Sequence, residues 1–104
     1  MSTKRLAFLE QTVASGSTEP LAFYGLALEY RNLERFDEAL ATFEKLRGMN
    51  PDYVPMYLMC GGMLEKMNRK DDARAWLETG ITTAKKKSDS HAQSELEGAL
   101  AALG

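Results

Sequence analysis

The chain has 104 residues, 44% of them hydrophobic and 27% charged, with three prolines. That length bounds it to one fold unit and excludes a catalytic domain paired with a separate ligand-binding domain, while the composition excludes the disordered and fibrous classes. Thirteen Lys and Arg against fifteen Asp and Glu give a formal net charge of -2, which offers no general attraction to a nucleic-acid backbone or an anionic membrane, so neither is expected as a partner.

The first predicted element is a helix over residues 3 to 14, where Leu6, Leu9 and Val13 fall on one face. Its apolar run, Leu6-Ala7-Phe8-Leu9, stops at Glu10 and is too short for the core of a signal peptide, and no run approaches membrane-spanning length. The mature chain is therefore expected to be the whole chain. The lone cysteine, Cys60, fits a cytoplasmic location, because small secreted domains usually rely on several disulfides. Residues 15 to 20, Ser-Gly-Ser-Thr-Glu-Pro, have the small polar composition of a loop.

From residue 20 the chain repeats itself. A shift of 34 residues aligns 20 to 53 with 54 to 87, pairing Phe23 with Tyr57, Leu26 with Cys60, Ala27 with Gly61, Tyr30 with Leu64, Asp37 with Asp71, Ala39 with Ala73 and Phe43 with Leu77. Apolar residues recur at three- and four-residue spacing, first over Phe23, Leu26, Ala27 and Tyr30, then over Phe36, Ala39, Leu40, Phe43 and Leu46. Each unit therefore reads as two helices with one buried stripe apiece.

Breaks are predicted at Asn32 to Arg35 and at Asn68 to Lys70, with Asp37 and Asp71 as N-caps or first-turn residues. A further break is predicted at Gly48-Met49-Asn50-Pro51, with Gly48 in a left-handed terminating conformation. Ala27 or Gly61 is expected to face Ala39 or Ala73 across each hairpin, since two helices approach closely only over small side chains. The aromatics Phe23, Tyr30, Phe36 and Phe43 are expected to fill the remaining space.

Phe23-x2-Leu26-Ala27-x2-Tyr30, Phe36-x2-Ala39-x3-Phe43-x2-Leu46 and Pro51 together resemble a complete tetratricopeptide repeat, with Phe in place of the usual Trp. The second copy, Tyr57-x2-Cys60-Gly61-x2-Leu64 and Ala73-x3-Leu77, keeps the small positions but departs at Lys70, Gly80 and Lys85. The resemblance implies an all-α, right-handed solenoid of antiparallel helix pairs. With the helix at 3 to 14 and a capping helix at 88 to 103, carrying Ala92, Leu96, Ala99, Leu100 and Leu103 and capped from Ser88 to Ser90, about six helices are expected in a single domain over 1 to 104.

Residues with chemical potential have bland explanations. His91 has no neighbouring His or Cys, Cys60 falls on a core position, and Gly61-Gly62 lack the setting of a phosphate loop. Lys85-Lys86-Lys87 and Asp71-Asp72 suit the ends of a helix dipole. No catalytic residue, metal site or cofactor is expected, and the chain is read as a non-enzyme.

By the resemblance, the inner wall of the array binds a protein or peptide partner. Carried over position by position, that wall comprises Leu21, Tyr24, Leu28, Arg31 and Asn32, and then Pro55, Leu58, Met59, Gly62, Glu65 and Lys66. Tyr24 and Leu28 stand where one branch of the family places the Lys and Asn that clamp chaperone tails, so that ligand is not implied. Met56, Met63 and Met67 are expected in the core, whereas Tyr24, Leu28, Leu58 and Met59 form an apolar patch with Arg31 and Lys66 at one end. The expected function is an adaptor for an apolar peptide or amphipathic helix. The alternative is a homodimerisation module that uses this patch or the Leu96-Leu100-Leu103 stripe.

Overall fold

A computed structural model of the chain describes residues 3–104, with the backbone alone described at Thr3. Six helices are present among the described residues, α1 (Thr3–Ala14), α2 (Pro20–Asn32), α3 (Phe36–Met49), α4 (Pro55–Lys66), α5 (Lys70–Lys86) and α6 (Ser90–Leu103), and no strand. They divide into two compact units between Asn50 and Pro51. In the first, α1 packs on α2 and α2 on α3; in the second, α4 pairs with α5, and α6 rests on both.

Pro20 and Pro55 open α2 and α4, where the missing N–H costs nothing and the ring presets a helical φ. Three of the connections, α2–α3, α4–α5 and α5–α6, are one and the same turn. Arg35 N donates to Tyr30 O, Arg69 N to Leu64 O and Asp89 N to Ala84 O, each at 2.9 Å, which satisfies a carbonyl the helix end would otherwise orphan. The residue before each donor sits in the left-handed region: Glu34 at φ 59, Asn68 at φ 61 and Ser88 at φ 57.

One sequence expectation is corrected and others are narrowed by the structure. Gly48 remains helical, and α3 stops because Pro51 disfavours helical geometry at the preceding residue, leaving Asn50 at φ -149, ψ 78. Asp37 and Asp71 are first-turn residues, and the N-cap positions belong to Arg35 and Arg69. Each of these arginines bonds an acid three residues on: Arg35 Nε and Nη2 donate to Glu38 at 2.6 and 2.7 Å, and Arg69 Nε donates to Asp72 at 2.8 Å. At α6 the cap comes from within the expected Ser88-to-Ser90 span and is Asp89, whose carboxylate accepts from Ala92 N at 3.1 Å.

The small-residue crossings match expectation. Ala27, Ala39 and Ala73 are fully buried. A Cβ on Gly61 would lie 2.7 Å from Leu77 Cδ2 and 3.6 Å from the Ala73 carbonyl oxygen, so α4 and α5 meet there nearly backbone to backbone. Phe23, Tyr30 and Phe43 are buried, but Phe36, at the start of α3, is only half-buried. Met56 and Met63 are core residues, and Met67 lies half-buried in a turn.

Candidate functional site

Leu21, Tyr24, Leu28, Arg31 and Asn32 fall on one face of α2 by their three- and four-residue spacing. Leu21 is 63% exposed, Tyr24, Leu28 and Arg31 are half-buried, and Asn32 is exposed. Arg31 Nη2 donates to Asn32 Oδ1 at 3.1 Å, which holds the polar end of this face together. The same spacing places Pro55, Leu58, Met59, Gly62 and Lys66 on one face of α4. There Pro55, Gly62 and Lys66 are exposed and Leu58 and Met59 half-buried, with exposed Glu65 beside Lys66.

The second helices present a different surface. The exposed residues of α3 are Asp37, Glu38, Ala41, Glu44, Lys45, Gly48 and Met49, and those of α5 are mostly Lys, Asp, Glu and Thr. Large apolar side chains left partly open among the described residues include Leu21, Tyr24 and Leu28 on α2 and Leu58 and Met59 on α4, and also Phe8 of α1, 69% exposed, Phe36, Leu40 and Met49 of α3 and Ile81 of α5.

The residues with chemical potential are dispersed. Cys60 is wholly buried, and His91 is exposed with Nε2 3.4 Å from Glu95 Oε1. No group of three His, Cys, Asp or Glu able to hold a metal ion occurs among the described residues, and no helix there is long and apolar enough to cross a membrane.

The tetratricopeptide repeat family matches residues 32–103, more than two-thirds of the chain. The chain belongs to this family. It is 34% identical to a tetratricopeptide repeat domain protein from Salinibacter ruber, in comparisons covering 82% of the present chain. The crystal structure of that protein is covered over 96% of its length with a TM-score of 0.76, and its solution structure over 86% with a TM-score of 0.78. A protein from Bordetella parapertussis, solved in solution, is 26% identical over 99% of this chain and 89% of its own, with a TM-score of 0.83. No curated protein matches the chain. Tetratricopeptide repeats are helical-repeat modules whose general role is to hold other proteins, and the family is typically non-enzymatic.

Two departures of the second tetratricopeptide repeat, Gly80 and Lys85, have a physical reason. Gly80 stands where α4, α5 and α6 converge, and a Cβ there would sit 2.5 Å from Tyr57 Cβ and 2.9 Å from Leu96 Cδ2. A larger residue there would overpack α5 against Tyr57 of α4 and Leu96 of α6. Lys85 replaces the closing proline because α5 runs on to Lys86 before turning into α6. Beside it, Lys86 Nζ is 3.0 Å from Asp52 Oδ1, and the Tyr57 hydroxyl donates to Pro51 O, tying the entry of α4 to the end of α5. Trp76 completes this core with its ring 5.8 Å from that of Tyr57. The repeat alignment gave no sign of it, since residue 42, one repeat earlier, is Thr.

Sequence reasoning also did not single out a polar chain in the first unit. The Tyr30 hydroxyl donates to Glu10 Oε2, and the Arg35 guanidinium carbon lies 4.8 Å from the centre of the Tyr30 ring. Arg5 Nε adds an ion pair of 2.7 Å with Glu29. Bonding to Arg35 holds the Glu38 carboxyl below its ordinary value and raises Arg35 in turn. Recurrence of Arg-x-x-acid at 35–38 and 69–72, one repeat apart, was the available signal.

Proposed function

We propose that the protein is an adaptor whose units each offer a first-helix face to an apolar segment of a protein partner, Leu21, Tyr24 and Leu28 of α2 in the first unit and Pro55, Leu58 and Met59 of α4 in the second, with no reaction of its own. The carrying observation is the grouping on each first helix: Leu21, Tyr24 and Leu28 lie partly open at helical spacing on one face of α2, and Leu58 and Met59 lie partly open on one face of α4, whereas the fully exposed residues of α3 and α5 are, Met49 apart, charged or small. Arg31, Asn32 and Lys66 follow the apolar residues at the C-terminal ends of these helices and suit an acidic group on the partner.

The test is selection of binders from a displayed library of random linear peptides, followed by affinity measurement against Tyr24→Ser and Leu58→Ser variants. Apolar peptides that lose about tenfold or more in affinity, equivalent to about 1.4 kcal/mol, support the reading when the variants keep the parental helical spectrum. Peptides indifferent to both substitutions overturn it. Self-association through the last helix is the weaker reading, because Leu96 and Leu103 of the proposed stripe are 1% and 5% exposed and already committed to the second unit.

A further inference from the structure

The first unit carries the two most exposed large apolar side chains among the described residues, Phe8 of α1 at 69% and Leu21 of α2 at 63%. Singly, neither would need an explanation. Their placement along the α1–α2 seam joins them. One side of that seam is marked by the Tyr30 hydroxyl on Glu10. The other is marked by Arg5, whose Nε pairs with Glu29 and whose Nη2 lies 3.8 Å from where a Gly25 Cβ would stand. At about 100° per residue, Phe8 is turned about 60° from Arg5 and about 160° from Glu10. Leu21 and Leu28 are turned about 40° and 60° from Gly25, and about 180° and 160° from Tyr30. All three therefore border the Arg5 side, and the apolar face of α2 continues onto α1 through Phe8.

The charged residues one turn from these three on their own helices are Lys4, Arg5 and Arg31, all cations. The nearby acids lie elsewhere or are engaged. Glu10 bonds Tyr30 on the far side, and Glu29, its side chain 16% exposed, pairs with Arg5. The turn that holds Glu34 leads to Arg35 over the Tyr30 ring, again on the far side. Because Arg5 meets Glu29, Lys4 lies toward the C-terminal end of α2, a helix length from Glu19. In a chain of net charge -2, this side of the first unit is cationic around an apolar centre. On α4, by contrast, Glu65 accompanies Lys66 beyond Leu58, and neither sign of charge is selected.

We infer that the first unit receives an acidic protein segment along the α1–α2 seam, its apolar side chains on Phe8, Leu21 and Leu28 and a carboxylate reaching Lys4. This rests on the reading that the α2 face binds a protein segment; it adds α1 to that face and fixes the sign of the occupant's charge. An anionic lipid surface is the poorer fit, since its recognition typically takes clusters of about four to eight Lys and Arg. A second copy of the chain is poorer too, because three partly open side chains fall far below the roughly 800 Å² per partner that a stable dimer buries.

The probes are two displayed libraries of linear peptides with apolar centres, flanked by Asp and Glu in one and by Lys and Arg in the other, panned against the unmodified protein. Binders are expected from the acidic library. Their affinity should fall about tenfold or more for Phe8→Gln and again for Lys4→Glu, both at exposed positions where the helical spectrum should be kept. Binders that depend on Tyr24 or Leu58 but not on Phe8 or Lys4 overturn this inference and leave the proposed function standing. Dependence on Phe8 without dependence on Lys4 overturns it as well, as does the absence of any binder from the acidic library. Phe8-dependent sedimentation with phosphatidylserine vesicles, or a Phe8-dependent dimer in light scattering, would assign the surface to lipid or to a second copy and overturn it. Binders indifferent to Phe8, Tyr24 and Leu58 overturn both readings.

Discussion

The Tyr30 hydroxyl, on α2, donates a 2.6 Å hydrogen bond to Oε2 of Glu10 on α1. Burial, reinforced by this neighbouring carboxylate, pushes the phenol up to about 12. The folded state therefore favours the neutral phenol more strongly than the unfolded chain does, and its contribution is fully present below about pH 10, the ordinary value for tyrosine. That contribution, on the order of 2 kcal/mol, is lost as pH rises through about 12. Thermal melts of the parent should fall more steeply between these limits than those of Tyr30→Phe. Parallel profiles for the two proteins would refute the assignment.

Two glycines of the second unit should respond to alanine with opposite signs. Gly80→Ala forces a methyl against Tyr57 and Leu96 and is expected to cost about 1–3 kcal/mol as overpacking. Gly62→Ala adds a methyl in open space and should stabilise by up to about 1 kcal/mol through helix propensity. Urea denaturation of both variants reads the difference, and equal midpoints would contradict the packing described.

The three left-handed turn residues are unequal in cost. Glutamate and serine adopt this conformation less readily than asparagine or glycine, so Glu34→Gly and Ser88→Gly are expected to stabilise by roughly 0.5–1 kcal/mol, and Asn68→Gly by less. A larger gain at Asn68 than at Glu34 in calorimetric melting would show that side-chain contacts, and not backbone strain, govern these turns.

Leu96 is the side chain that seals α6 against Gly80. Leu96→Ala should cost about 2–5 kcal/mol, as a large-to-small change in a packed core does, and leave the molar mass by light scattering unchanged. A dimer that dissociates on this substitution would restore the last helix as an association surface.

Much of the fold was legible because its determinants are periodic. The stripe from Phe23 to Leu46 and the 34-residue recurrence fixed the helix pairs, and Pro20 and Pro51 marked their limits. The detail of the turns was not legible: Gly48 looked the obvious left-handed residue, but backbone hydrogen bonding imposes that conformation on Glu34, Asn68 and Ser88. The candidate faces followed from spacing along α2 and α4, whereas the Tyr30–Glu10 bond depends on how α1 lies across α2, which spacing does not encode. Gly80 read as a departure from the family pattern because Leu96, which needs the room, lies outside the repeat.

Within each unit, every helix packs on its immediate neighbour in sequence, the one exception being α6, which also reaches α4 across a single intervening helix. Few residues separate the groups that must meet, so each loop closed during folding is short and its entropic barrier low. Each three-helix unit is thus suited to rapid assembly, with little time in which its unpaired apolar stripes stand open to aggregation.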